Sequence, residues 1–362
     1  MESIINQSHK TYLVGRTLPT FNCLSDKALK DAIETSIETY LPDLKAFDDA
    51  LPPHLHRKSK AAWLEFTCVT IHVCNLLAGF CLTPEQAAAM MKHVDLSYRA
   101  DDFMETVVDA YGILDISVVF EALERCFQPY VGSSVRSKRT DHRSRKVDSP
   151  MEGLSPMKDP MQFEHDLRDV VERMHIYPIC SASKQDRQWY SLELYDFLVA
   201  QLEQLDSELP KTVAPGQLHK WVTDVGARSV GTNYMFAMFT CLVSAEDGLS
   251  PWKSASSLYL AQEFVQQISV EFRLLNDVGG RVRDMRDGTM SSCTLVPDGE
   301  YTELLEIADL AAESSAALLE RLAGTSAGDE RRTRSLLDMF RKSVRLSGEL
   351  YMANDEPNRA AS

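Results

Sequence analysis

Apolar residues recur at three- and four-residue steps along nearly the whole chain, and no stretch alternates apolar with polar as a half-buried strand does. Phe103, Val107, Tyr111, Leu114 and Val118 form one such helical stripe. Ser25 reads as the cap of a helix from Asp26 to Pro42. Residues 59–79 are apolar almost all round, the pattern of a buried helix. Thr83-Pro84-Glu85 opens a short helix to about His93, and Asp101-Asp102 begin another. Further helices are expected at about 162–175, 187–207, 217–244, 253–287, 301–323 and 328–352. The pattern predicts an all-α fold, a single helical domain over 1–362.

Residues 132–160 break the pattern. They are rich in Ser, Arg, Lys and Pro and nearly lack large apolar groups, so they read as a mobile inserted loop. The net charge of -15 argues against nucleic acid or an anionic membrane surface as partner. No apolar run reaches the ~18 residues of a membrane span, and the first residues lack a signal pattern. The eight cysteines form no C-x-x-C pair and lie largely in apolar runs, as buried reduced thiols do. The cytosol is the expected compartment, and a homodimer is left open.

The most informative stretch is residues 272–288, FRLLNDVGGRVRDMRDG. Asn276, Gly280 and Asp284 are spaced four apart, and four residues turn a helix by about 400°. One helical side therefore carries an amide oxygen and a carboxylate, hard donors suited to Mg2+ with water and substrate phosphate. Arg228 stands 48 residues before Asn276, followed by Gly231 and Thr232. A guanidinium is a bidentate phosphate ligand.

The stretch resembles the N-D-x-x-S-x-x-x-E metal motif of class I terpene synthases, with Asn276, Asp277 and Gly288 matching. Gly280 stands where the family has Ser or Thr, so a water replaces the hydroxyl, and Asp284 replaces Glu. The resemblance implies a terpene synthase-like helical bundle around a central apolar cavity. It also implies three Mg2+ ions with the diphosphate, Arg228 as the diphosphate sensor, and Arg283 as a second diphosphate contact. Tyr111, Phe236, Phe239, Trp252 and Phe272 become candidates for lining the pocket, Tyr111 as a cation-stabilising catalytic ring and Phe236 and Phe272 against the substrate.

For the family's first acid motif two candidates compete. Asp101-Asp102-Phe-Met-Glu105 matches the letters but reads as the start of a helix, where aspartates commonly cap. Asp115 follows an apolar stretch at the family's usual distance and is the preferred metal ligand, although Ile116 and Val119 occupy the places of its partner acids. The usual C-terminal Arg-Tyr pair is absent, with Arg345 or Tyr351 as substitutes.

Among cyclases the altered motif set looks most like the fungal humulene synthases. That implies farnesyl diphosphate as the partner molecule and a sesquiterpene product. A chain-elongating prenyltransferase and a non-catalytic helical interaction protein are the alternatives.

Overall fold

The computed structural model describes residues 46–56, 84–113, 115–131, 160–176, 182–205, 216–244, 248–296 and 301–325, and scattered positions from 333 to 348. The expected helices at 26–42 and 59–79, residues 132–159 of the expected loop, and Tyr351 lie outside them. Among the described residues there is no strand. The helices are α1 Pro84–Tyr111, α2 Ser117–Val131, α3 Pro160–Ile176, α4 Lys184–Leu205, α5 Gln217–Trp221, α6 Ala227–Ser229, α7 Thr232–Ser244, α8 Ala255–Asp287 and α9 Tyr301–Thr325. The all-α expectation holds.

Two boundaries differ from the expectation. The helix opened at Pro84 does not end near His93; α1 runs unbroken to Tyr111. Residues 101–105 therefore lie well inside a helix and cap nothing. The chain breaks instead at Gly112, whose φ of 64° is left-handed. It restarts where the Asp115 carboxylate accepts the Ser117 N–H at 2.9 Å. That is the bond of a residue capping a helix start.

α4 is the central helix. Trp189, Tyr190, Leu194, Phe197, Leu198 and Leu202 bury faces pointing in several directions, as a helix surrounded by others must. Its neighbours include α1, α2 and α7. α7 is buried along nearly its whole length, from Thr232 to Ser244. α8 begins with a reciprocal cap, the Ser254 hydroxyl accepting from the Ser257 N–H and the Ser257 hydroxyl from the Ser254 N–H. It ends at Gly288, φ 68°, whose N–H bonds the Asp284 carbonyl. Gly288, matched above to a family glycine, thus has a local reason to be glycine.

Cys126, Cys241 and Cys293 are buried and unpaired, as expected of reduced thiols. No helix among the described residues is long and apolar enough to cross a membrane.

Candidate active site

The stretch expected as one helix over 217–244 is interrupted twice. Val222–Gly226 forms a π-helical turn, a geometry that is frequent at functional sites. After the single turn of α6 the chain breaks at Gly231, φ 73°. A Cβ there would come within 2.6 Å of the Tyr234 ring. Only glycine fits both the angle and the space. Gly231→Ala is expected to lower stability by about 1–2 kcal/mol from the backbone alone, with the clash in addition, read as a lower urea midpoint. An unchanged midpoint would mean that the break is not held as described.

Four helices meet here, α6 and α7 running antiparallel to both α4 and α8. Asn233 of α7 accepts the Ser269 hydroxyl of α8 at 2.6 Å. Ser229 of α6 accepts Arg273 of α8 at 3.2 Å. On the other side, Gln201 of α4 donates to the Ser229 carbonyl at 2.6 Å. Arg228 also turns to α4. Its guanidinium pairs with Glu203 at 3.0 Å and Asp196 at 3.4 Å, and donates to the Asp224 carbonyl at 2.8 Å. Arg228 is thus set in place by two carboxylates and the π-turn's backbone.

On α8, seven residues make two turns, so Asn276 continues within about 20° the side on which Ser269 meets α7. Asn276 is half-buried. Gly280 and Asp284 are buried, Asp284 at 7% exposure. Asn276 keeps partial exposure, whereas Asp284 is enclosed. The three positions fan over about 80° of the helix, and Asp284 lies on the side of Cys293, whose thiol it helps to raise after burial.

Asp277 does something different from its neighbour. Its carboxylate is 1% exposed and pairs with Arg273 at 2.8 Å. It also accepts the Ser292 N–H at 2.7 Å. Arg273 stacks over Trp221, 4.8 Å from the ring centroid. The two matched letters of the motif differ in their surroundings: Asn276 is half-buried, and Asp277 braces α8 against the turn at Ser292–Leu295.

The other expected residues are placed as follows. Asp101 of α1 lies near Tyr234 of α7, whose phenol is pushed up by burial with Asp101 contributing. Asp101 thus stands beside the helix break. Tyr111 donates to Asp166 at 2.6 Å and packs beside Phe163 and Phe103, so its hydroxyl ties α1 to α3. Phe236 is fully buried, ringed by Trp189, Trp252, Phe264 and Phe340 at 4.9–6.0 Å; Phe239 packs on Phe340 at 6.2 Å. These rings form core rather than a free surface, while Phe272 is partly exposed.

Arg345 bonds Glu271 at 3.0 Å and Asp309 at 3.2 Å. Glu271 lies about 140° around α8 from Asn276, so Arg345 works on the opposite side from the metal motif. The Arg283 side chain lies outside the described residues. No group of three His, Cys, Asp or Glu side chains among the described residues is arranged to hold a metal.

Sequence reasoning missed Glu193, Asn233, Asp196, Glu203 and Arg273. None belongs to a spaced motif, and only the helix register brings them together.

The bundle has close structural parallels. Linalool/nerolidol synthase from Streptomyces clavuligerus, in complex with 2-fluorogeranyl diphosphate, superposes with a TM-score of 0.54 at 15% identity, covering 95% of this chain and 99% of that one. A second structure of that enzyme gives 0.53 at 14% identity, covering 93% and 98%. The chain has the terpene synthase fold. No family model matches it. Pimaradiene synthase of Emericella nidulans is 22% identical over 329 residues, 80% of this chain and 33% of that protein. Ent-kaur-16-ene synthase of Phaeosphaeria sp. is 29% identical over 151 residues, 41% of this chain and 16% of that protein. The chain thus spans a third or less of the length of these two relatives.

Proposed function

We propose that this chain is a class I terpene cyclase, which ionises an allylic prenyl diphosphate and closes the resulting cation into a ring. One observation carries the reading. Asn276 follows by one turn of α8 the residue Arg273, which hydrogen-bonds Ser229, the chain neighbour of Arg228, within the terpene synthase fold.

The donor chemistry fits Mg2+. Asn276 is half-buried and offers an amide oxygen, Asp284 adds a carboxylate, and Gly280 has no side chain to exclude a water. Asp101, Asp102 and Glu105 are the better first acid set, because they lie within α1 and Asp101 stands near Tyr234 beside the break. Asp115, preferred from the sequence, has its carboxylate on the Ser117 N–H. When bound, Mg2+ supplies neutralisation of the charge that the leaving diphosphate develops.

Arg228 adds a planar fork of donors for phosphate oxygens. Its longer contact, to Asp196 at 3.4 Å, is the one that yields to them. Trp189 and the buried floor of Phe236 and Trp252 exclude water below, which protects a cation from quenching.

On chain length, the motif resemblance points to farnesyl diphosphate and a sesquiterpene such as humulene. The relatives' names, pimaradiene and ent-kaurene synthase, are those of diterpene producers and favour a C20 substrate. The test is incubation with Mg2+ and farnesyl or geranylgeranyl diphosphate, with extracts analysed by gas chromatography–mass spectrometry. A cyclic hydrocarbon supports the cyclase, and its carbon number decides the chain length. A longer diphosphate indicates the transferase, and no turnover leaves a non-catalytic bundle.

Two variants separate the acid sets. Asp101→Asn is expected to lower turnover by more than ~100-fold, a ligand weighing at least as much as the groups behind it. Asp115→Ala is expected to cost about 1 kcal/mol of stability with turnover kept. The reverse pattern would restore Asp115 as the metal ligand.

A further inference from the structure

Glu193 is unused by the account so far. It lies on α4, one turn after Trp189, whose indole N–H donates to Glu193 Oε1 at 2.8 Å. The Asn233 side chain, on the first turn of α7 after the break, also hydrogen-bonds the carboxyl. Asn233 is itself fixed by Ser269 at 2.6 Å and Gln266 at 3.3 Å, both on α8. The carboxyl thus stands where α4, α7 and α8 converge, between Arg228 and the aromatic floor of Trp189, Phe236 and Trp252.

Glu193 keeps partial exposure, yet desolvation dominates its ionisation and pushes it up to about 7. Packing among α4, α7 and α8 is the cause, and the hydrogen bond from Trp189 fixes where the carboxyl stands. The charges that face it are Asp196 from α4, which raises it further, and Arg228 from α6, which lowers it; α7 and α8 present the neutral Asn233, Gln266 and Ser269.

We infer that Glu193 is the protein's own proton acceptor, taking the terminal proton from the cyclised cation. The inference rests on the cyclase reading. In the step, a C–H bond next to the cationic carbon breaks and its electron pair forms the C=C bond of the hydrocarbon. The proton passes to the Glu193 carboxylate and from there to water after the product leaves. No oxidant or second reactant is needed. The indole and amide N–H groups hold the accepting oxygens in place, and the acid's affinity for protons near neutrality suits a base that must reset each turnover.

The test uses the full chain with Mg2+ and whichever prenyl diphosphate it turns over, reading diphosphate release and product composition separately. Glu193→Gln keeps the shape and a carbonyl for Trp189 but cannot accept the proton. Diphosphate release is expected to stay within about threefold of wild type. The wild-type hydrocarbon's share should fall by at least ~10-fold, replaced by an alcohol or a differently placed alkene.

In wild type that share should also fall as pH drops below about 7, because the acid then stays protonated. In Glu193→Gln it should not vary with pH. Trp189→Phe, which keeps the acid and removes one donor to its charged form, should move the pH midpoint upward. An unchanged product in Glu193→Gln, or loss of diphosphate release together with product, overturns the inference. Wild-type chain that releases no diphosphate at all overturns the cyclase reading beneath it.

Discussion

Asn276→Ala is expected to lower Mg2+-dependent turnover by more than ~100-fold while the urea midpoint and far-UV helical signal stay within experimental error of wild type. Asn276 is half-buried in the interior of α8 and makes no side-chain hydrogen bond to another described residue. Among the described residues nothing depends on its amide, and alanine favours the helix more than asparagine does. In the proposed site its value lies in the oxygen it would offer to Mg2+. Groups that merely support a metal's ligands cost 10–100-fold when removed, so a ligand itself stands at or above the top of that range. Retained turnover would remove Asn276 from the site; a lost helical signal would give it a structural role.

The adjacent residue should behave in the opposite way. Asp277→Ala is expected to destabilise the chain by about 3–5 kcal/mol, the cost of leaving one partner of a buried ion pair alone. The carboxylate is 1% exposed and pairs with Arg273 at 2.8 Å, and it holds the Ser292 N–H at 2.7 Å. Without it, Arg273 stays buried against Trp221 and Ser229 with its charge uncompensated.

Against a typical total of about 5–15 kcal/mol, that is a large share. Urea denaturation measures it. The double variant Arg273→Met with Asp277→Leu should recover much of the loss, because it removes both charges. A single variant that loses turnover but less than about 1 kcal/mol would place Asp277 among the metal ligands after all.

These two neighbours show what the sequence carries and what it does not. The register of Asn276, Gly280 and Asp284 was legible because four-residue spacing on a long helix leaves little freedom. The break at Gly231 was foreshadowed by a glycine three residues after Arg228. The inward turn of Asp277 was not legible, since its partners are a residue one turn back and a backbone N–H fifteen residues on.

The 101–105 acids were misread for a related reason. Aspartates look alike at a helix start and inside one, and only the continuity of α1 through His93 decides between them. Arg345 had the right charge and chain position, but Glu271 and Asp309 hold it on the far side of α8. Glu193 sits in no motif, and its chemistry comes from burial, which a sequence does not state.

A crystal structure of the chain with Mg2+ and inorganic diphosphate tests the arrangement most directly. The Asn276 side-chain oxygen should lie about 2.1 Å from a magnesium ion, with Arg228 on a diphosphate oxygen. Magnesium and diphosphate bound away from α8, with Asn276 contacting neither, would contradict it.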